Sequence, residues 1–488
     1  MSVTNGPLLN SVPAAQKQTL SSNYLDLSSA TNAGWGQQYV PDLMEKEAEV
    51  FGPRTISGFL EKVGAEEAMQ ADQVVWSEQG RLHLSYKGKL TTDNTLLLQS
   101  DIDNSNYEAT GLDVDHGIRK NDTVLVSNAN GIFKALVSAI TNNDSLTLAP
   151  YSGTAIAALN TNQTTTVLVY GSEFAKGTGY NAAGAATVES RGANEPDFKT
   201  FTNKPIIMKD YYEVSGSDAS RIGWVEVASE EGQSGYLWYL KAKADTRARF
   251  NDYVEMAMLE SVKGSSTNAV DTALGLSGAV GTEGLFAAIE SRGNVASGIV
   301  GSDPATDLQE FDAILAEFDK QGAIEENMMF INRATSLAVD DMLASMNSYG
   351  TGGTSYGVFD NDKDMALNLG FSGFRRGSYD FYKSDFRYLN DLATRGGINA
   401  ATATADAIRG VMIPAGTSTV YDQQMGKNLK RPFLHVRYRA SQTDDRKLKT
   451  WTTGSVGAST SALDAMQIHM LSERCLITQG ANNFMILK

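Results

Sequence analysis

From residue 236 to residue 263 the sequence runs without a proline or a glycine, in a chain that holds 45 glycines and 10 prolines. Within that stretch Phe250, Tyr253, Val254, Ala257, Met258 and Val262 recur near the 3.6-residue spacing of one helical face. The pattern predicts a single long helix over 236–263, about 40 Å in length at ~1.5 Å per residue. Gly264-Ser265-Ser266 supplies its stop. Few other stretches are so constrained.

Upstream, residues 80–173 carry strand-sized runs such as Thr123-Val124-Leu125-Val126-Ser127 and Thr165-Thr166-Val167-Leu168-Val169-Tyr170, separated by Asn, Asp and Gly turns. These runs predict a small barrel or sandwich, inserted as a module of its own. Residues 202–215 read as a long strand, with Pro205 pointing to a sheet edge or to a strand that begins at the proline. Downstream, helices are expected at 307–322 and 334–346, with a buried strand at 328–332 between them and further strands at 378–387 and 407–413. The chain closes with runs at 467–477 and 483–487, read as a strand pair around Gly480-Ala481-Asn482. At the other end, 41–72 opens on Pro41 and acidic residues and reads as a short helix. Residues 1–35 are polar and nearly uncharged, an arm that orders only against a partner or a disordered tail.

Length and charge narrow the function. A chain of 488 residues suggests about three structural units. The net charge of −16 repels nucleic acid overall, which argues against a sequence-specific nucleic-acid reader. One cysteine, Cys475, sits in an apolar run, so no internal disulfide forms and a reducing compartment is expected. Residues 1–20 lack the charged and apolar regions of a secretory signal. No apolar run reaches the length of a membrane span, so no membrane partner is expected.

Catalytic and metal motifs are fragmentary. Gly353-Thr354-Ser355-Tyr356-Gly357 matches the G-x-S-x-G elbow, but a helix and a Gly-rich loop precede it where the elbow needs a strand. Asp360, Asp362 and Asp364 resemble the start of a calcium loop, yet Met365 stands at the glycine position and Phe371 at the terminal Glu position. The four histidines are dispersed, and no Walker or Rossmann glycine pattern is present. No catalytic residue, cofactor or metal site is therefore assigned, and the chain reads as a non-enzyme. The basic segment 427–449 reads as inter-subunit ion pairing in preference to a DNA-facing patch.

The order of parts carries a resemblance. A loose arm, a long loop closed by a strand (204–215), a long helix (236–263), an α/β half and a returning end with Ser472-Glu473-Arg474-Cys475-Leu476-Ile477 and Phe484-Met485-Ile486-Leu487 together resemble the Hong Kong ninety-seven type of capsid protein. That fold is shared by tailed phages and herpesviruses. The stretch Ser378-Tyr379-Asp380-Phe381-Tyr382-Lys383-Ser384-Asp385-Phe386-Arg387 is similar to major capsid proteins of crAss-like phages. The resemblance covers most of 174–488, and 80–173 departs from the minimal fold.

It implies an α+β major capsid fold divided as follows: arm and short helix (1–72), E-loop region with the β-rich insertion (73–222), P-domain with spine helix (223–300), A-domain (301–460) and returning P-domain strands (461–488). It further implies a self-assembling virion protein, built up in the host cytoplasm, whose hexamers and pentamers tile an icosahedral shell. The implied partners are copies of itself, a portal, a scaffold, decoration or auxiliary capsid proteins, and non-specifically packaged double-stranded DNA. On the E-loop strand, Phe201, Ile206, Met208, Tyr211 and Tyr212 are the expected assembly contacts. On the helix, Arg247 and Arg249 are expected to meet a neighbour's carboxylates. The alternatives are another virion component (tail tube, sheath or portal), a surface-layer or adhesin protein, and a hydrolase using Ser355.

Overall fold

In a computed structural model the chain is a strand-rich mixed α/β protein. The structure describes residues 59–60, 65–79, 85–92, 94–101, 116–141, 145–153, 163–177, 198–217, 226–228, 234–264, 269–275, 281–322, 324–347, 373–402, 406–415, 417–422, 427–455 and 461–488. It forms two compact units: Trp76–Phe201, and Met1–Val75 together with Thr202–Lys488.

The smaller unit is a closed, wholly antiparallel barrel. Around the ring the strands run Ser85–Thr92, Thr95–Asp101, Ser145–Pro150, Gly131–Ile140, Asp122–Asn128 and Thr164–Ser172, and the last pairs with the first. Period-2 alternation sends one face of each strand inward. Leu90, Leu96, Leu98, Val124, Val126, Val137, Leu146, Leu148 and Val167 fill the interior. Closure leaves no unpaired ladder edge. Gly88 sits at a register shift between the first two strands, where a Cβ would come within 2.3 Å of the Leu97 carbonyl oxygen. Only glycine permits that approach.

The larger unit is built on two sheets. In the first, Ala65–Met69, Leu434–Arg439, Ala465–Thr478 and Ile206–Ser215 lie side by side, and Lys449–Gly454 also pairs with Ala465–Thr478. The second has six strands, in the order Asn294–Ala296, Met485–Leu487, Gly410–Pro414, Glu326–Ile331, Tyr379–Asp385 and Gly373–Arg376. Its central strands are apolar on both faces because both faces are covered. Phe330, Val411, Ile413 and Ile486 point into one core, shared with Met258, Leu259, Leu285 and Phe286. Met329, Ile331, Met412, Met485 and Leu487 point into another, beneath the helices Pro304–Gln321 and Arg333–Asn347. Continuous apolar runs are what two-sided burial requires.

The long helix is Leu237–Glu260. It stops short of Lys263 because the Ser261 carbonyl accepts a hydrogen bond from Gly284 N (2.8 Å), which ties the next turn to another segment. Phe250, Val254 and Met258 are buried, whereas Tyr253 and Val262, expected on the same face, are 50% and 69% exposed. Within 41–72, read as a short helix, residues 59–60 are helical and Ala65–Met69 is a strand, parallel to Leu434–Arg439, with Ala65 opposite His435. That ladder links residues distant in sequence, and a tertiary partner of this kind outweighs local propensity.

The closing segments are not a strand pair either. Ala465–Thr478 belongs to the first sheet and Met485–Leu487 to the second. Between them Gly480, left-handed at φ 60°, starts the 3-10 turn Ala481–Asn483 that passes the chain across. Leu434–Arg439 and Lys449–Gly454, which the sequence division groups with 301–460, likewise join the first sheet.

Candidate assembly surface

The strand Ile206–Ser215 begins directly after Pro205 and pairs along its whole length with Ala465–Thr478, from Ile206 opposite Arg474 to Ser215 opposite Ala465. It ends the strand order of its sheet. Alternation splits its side chains between two environments. Met208 joins Phe250, Val254, Ile468 and Met470 on the inner face, where the long helix packs. Ile206 and Met208 also pack against the main core. Ile207 and Tyr211 point outward and are 54% and 56% exposed.

Of the residues expected to bind a neighbour, Ile206 and Met208 are therefore core contacts of their own chain. Tyr212 is half-buried and Tyr211 exposed. Phe201 belongs to the smaller unit, where its ring lies 6.1 Å from that of Trp76. Arg247 is exposed on the helix. Arg249 pairs with Asp210 of its own chain at 3.1 Å and stays exposed.

The outward face is organised in ranks across three strands. Tyr211, His469 and Trp451 stand in register. Tyr211 and His469 stack at 6.1 Å, and His469 and Trp451 at 5.1 Å. Beside them Gln467 donates to Glu213 (2.7 Å) and receives a hydrogen bond from Thr453 (3.3 Å). Thr453 Oγ1 also lies 2.6 Å from His469 Nε2. The aromatic rank is thus held from one side by a polar rank, with Trp451 still 36% exposed.

At the other end of this face lies an ion-pair cluster around Glu473, itself buried. Arg439 Nε donates to Glu473 at 2.6 Å, and the same guanidinium reaches Gln70 O and Asp72. The two carboxylates raise the Arg439 pKa by accepting its hydrogen bonds. Arg446 Nε lies 2.9 Å from the second Glu473 oxygen, an ion pair by distance without hydrogen-bond geometry. Arg437 pairs with Glu67 at 2.8 Å, and Lys447 pairs with Glu66. Arg474 is driven to a lower pKa by burial, and the nearby Glu66 opposes that shift. Arg437, Arg439, Arg446 and Lys447 of the basic segment thus each have a carboxylate partner within the chain.

Cys475, two residues beyond Glu473, is buried, and burial pushes its thiol up to about 12, so it is an inert apolar side chain. Ser355 and the Asp360, Asp362, Asp364 run lie outside the described residues. Among the described residues no group of three or more His, Cys, Asp or Glu side chains could hold a metal. None of their helices is long and apolar enough to cross a membrane.

His469, Trp451 and Glu473 were not singled out by sequence reasoning. The available signal was the alternation Gln467, His469 against Ile468, Met470, which marks a strand with one polar face. Which strands flank it is not written there.

Neither a family model nor a curated protein sequence matches the chain. Among solved structures it is similar to a chain from Mycobacterium phage Bobi, at 7% identity over 93% of this chain and 97% of that one, with a TM-score of 0.37. It is also similar to one from Microbacterium phage Oxtober96, at 9% identity over 95% and 99%, TM-score 0.36. A third is described as the capsid of a native GTA particle, at 11% identity over 95% and 99%, TM-score 0.36. With overlaps this loose, function has to be read from the chain's own geometry.

Proposed function

We propose that the chain is the major capsid protein of a tailed phage, of the Hong Kong ninety-seven type and related to those of crAss-like phages. In this reading it is a structural subunit without catalytic activity. It forms hexamers and pentamers that close an icosahedral head around double-stranded DNA. The observation that carries the reading is one succession of elements. An outgoing strand (Ile206–Ser215), a long helix (Leu237–Glu260) and a returning strand (Ala465–Thr478) are packed as two adjacent strands with the helix across their inner face. In this reading they serve as the loop strand, spine helix and closing strand that the resemblance implies. The six-stranded sheet with its helices takes the part of the A-domain, and the barrel that of the insertion.

The physical logic is incomplete satisfaction of the lone subunit. An edge strand presents ladder groups on its open side, and an aromatic rank remains in water; both favour addition of a neighbour. Contacts that repeat by rotation close rings. Weak contacts then suffice, since many act together. Portal, scaffold and auxiliary proteins belong to the same reading as partners of the shell.

Electron microscopy of the full chain, expressed alone and with its neighbouring genes, tests it. Closed shells or six- and five-fold rings are expected, and Tyr211→Asp should reduce them while leaving a folded monomer. Uniform monomers under both conditions overturn the proposal.

A further inference from the structure

The barrel's outer wall holds a shallow depression, largely open to solvent, that neither its core nor the proposed assembly surface uses. Its volume is about 550 Å³, within the range of small-molecule sites, ~300–1,000 Å³. Thr123, Lys134, Tyr151, Tyr170, Ser172 and Glu173 line it. The strand order brings them together. Gly171 lies opposite Thr123 across one ladder, Tyr151 N donates to Lys134 O at 3.2 Å, and Glu173 N donates to Asn121 O at 3.0 Å. The lining is therefore fixed by backbone hydrogen bonds of a closed barrel.

Two features of the lining select a ligand chemistry. Tyr151 and Tyr170 are 53% and 51% exposed, so two aromatic rings are left in water where neither supports the interior. Around them stand one ammonium (Lys134), one carboxylate (Glu173) and small hydroxyls, with no excess of either charge. The Tyr151 hydroxyl donates to Glu173, which raises its pKa to about 12 and fixes both groups in place. A phosphate or nucleic acid would require net positive charge. A purely apolar ligand would require a dry pocket without fixed ions. A sugar ring matches what is present: its C–H face covers an aromatic ring, and its hydroxyls bond to carboxylate, ammonium and hydroxyl groups at the ring's edge.

We infer that this cleft is a saccharide-binding site for a neutral hexose or N-acetylhexosamine, with Tyr151 and Tyr170 as stacking platforms and Glu173 and Lys134 as hydroxyl partners. It rests on residues of the barrel alone. Because both tyrosines are on the surface, their removal leaves the barrel core untouched.

Saturation-transfer NMR on the full chain tests this with glucose, galactose, mannose, N-acetylglucosamine, N-acetylgalactosamine, cellobiose and chitobiose as probes. Transfer to the ring C–H protons of at least one probe is expected. It should weaken about tenfold in Tyr170→Ala and in Glu173→Gln, and persist in Tyr170→Phe, which keeps the ring. Absence of transfer from the whole panel overturns the inference. So does transfer that survives the Tyr151→Ala, Tyr170→Ala double variant, or that inorganic phosphate displaces.

Discussion

The barrel and the two-sheet unit solve the burial problem in different ways. In the barrel, six strands drawn from one continuous stretch enclose a core of Leu, Val and other apolar side chains. In the larger unit, strands are borrowed from both ends of the chain, and buried polar groups fasten them. Asn203 shows the second strategy: fully buried, it donates to Leu476 O at 2.6 Å and accepts from Glu283 N at 2.9 Å. Arg409 is another such fastener, donating to the carbonyl oxygens of Ser297, Gly298, Ile299 and Lys488. It holds Ile299 at a left-handed φ of 61°, a conformation a β-branched residue avoids. Local wiring keeps the barrel's polar ties short in sequence, as where Asp122 accepts from Arg119 N at 2.8 Å. Distant wiring makes the larger unit depend on specific hydrogen bonds and ion pairs, each costly to leave half made.

The largest test of this contrast lies in the barrel. Leu96 is fully buried in a filled interior, so Leu96→Ala should cost about 4 kcal/mol through lost burial and a residual cavity. Peptide-resolved hydrogen exchange should report the loss within residues 76–201 only. Loss of protection across 202–488 as well would mean that the two units melt as one, and the contrast would fail.

Glu473→Ala probes the other strategy. It strands Arg439 and Arg446 beside a buried gap, at a cost of about 3 kcal/mol, the low end because both arginines keep partial access to water. Here protection should fall in Ala65–Met69 and Leu434–Arg439 while the barrel is unchanged. A change below ~0.5 kcal/mol, the size of an ordinary surface substitution, would show that the ion pairs are ornamental.

The smallest effect is a pH dependence. Cys475 is raised from 9.0 to about 12 and Tyr379 from 10.0 to about 12, chiefly by burial. A raised acid contributes stability in full below its unfolded pKa and loses it as pH climbs through the folded one. The urea midpoint of the larger unit should therefore decline as pH rises from 9 towards about 12, and Cys475→Ala should flatten the early part of that decline. An unchanged slope in that variant would remove the thiol from the account.

Much of the secondary structure was legible because it is local. The long helix followed from a run free of Pro and Gly, and the barrel strands from alternation between turn residues. The helix Pro304–Gln321 starts earlier than its first apolar positions suggested, yet Asp303 before Pro304 is a start signal in the sequence itself. The candidate surface was legible in part. Tyr211 is recognisable as an exposed strand residue, but its neighbours His469 and Trp451 come from the far end of the chain.

The sequence by itself determined the mixed composition of elements, the single cysteine within an apolar run, and the net charge of −16. Only the tertiary structure decided which strands meet: Ala65–Met69 beside Leu434–Arg439, and the two closing strands in separate sheets. The reason is physical. Helix and turn preferences are fixed within a few residues, whereas a β-ladder is chosen by burial on both of its faces, and that choice is made only when distant segments compete for the same edge.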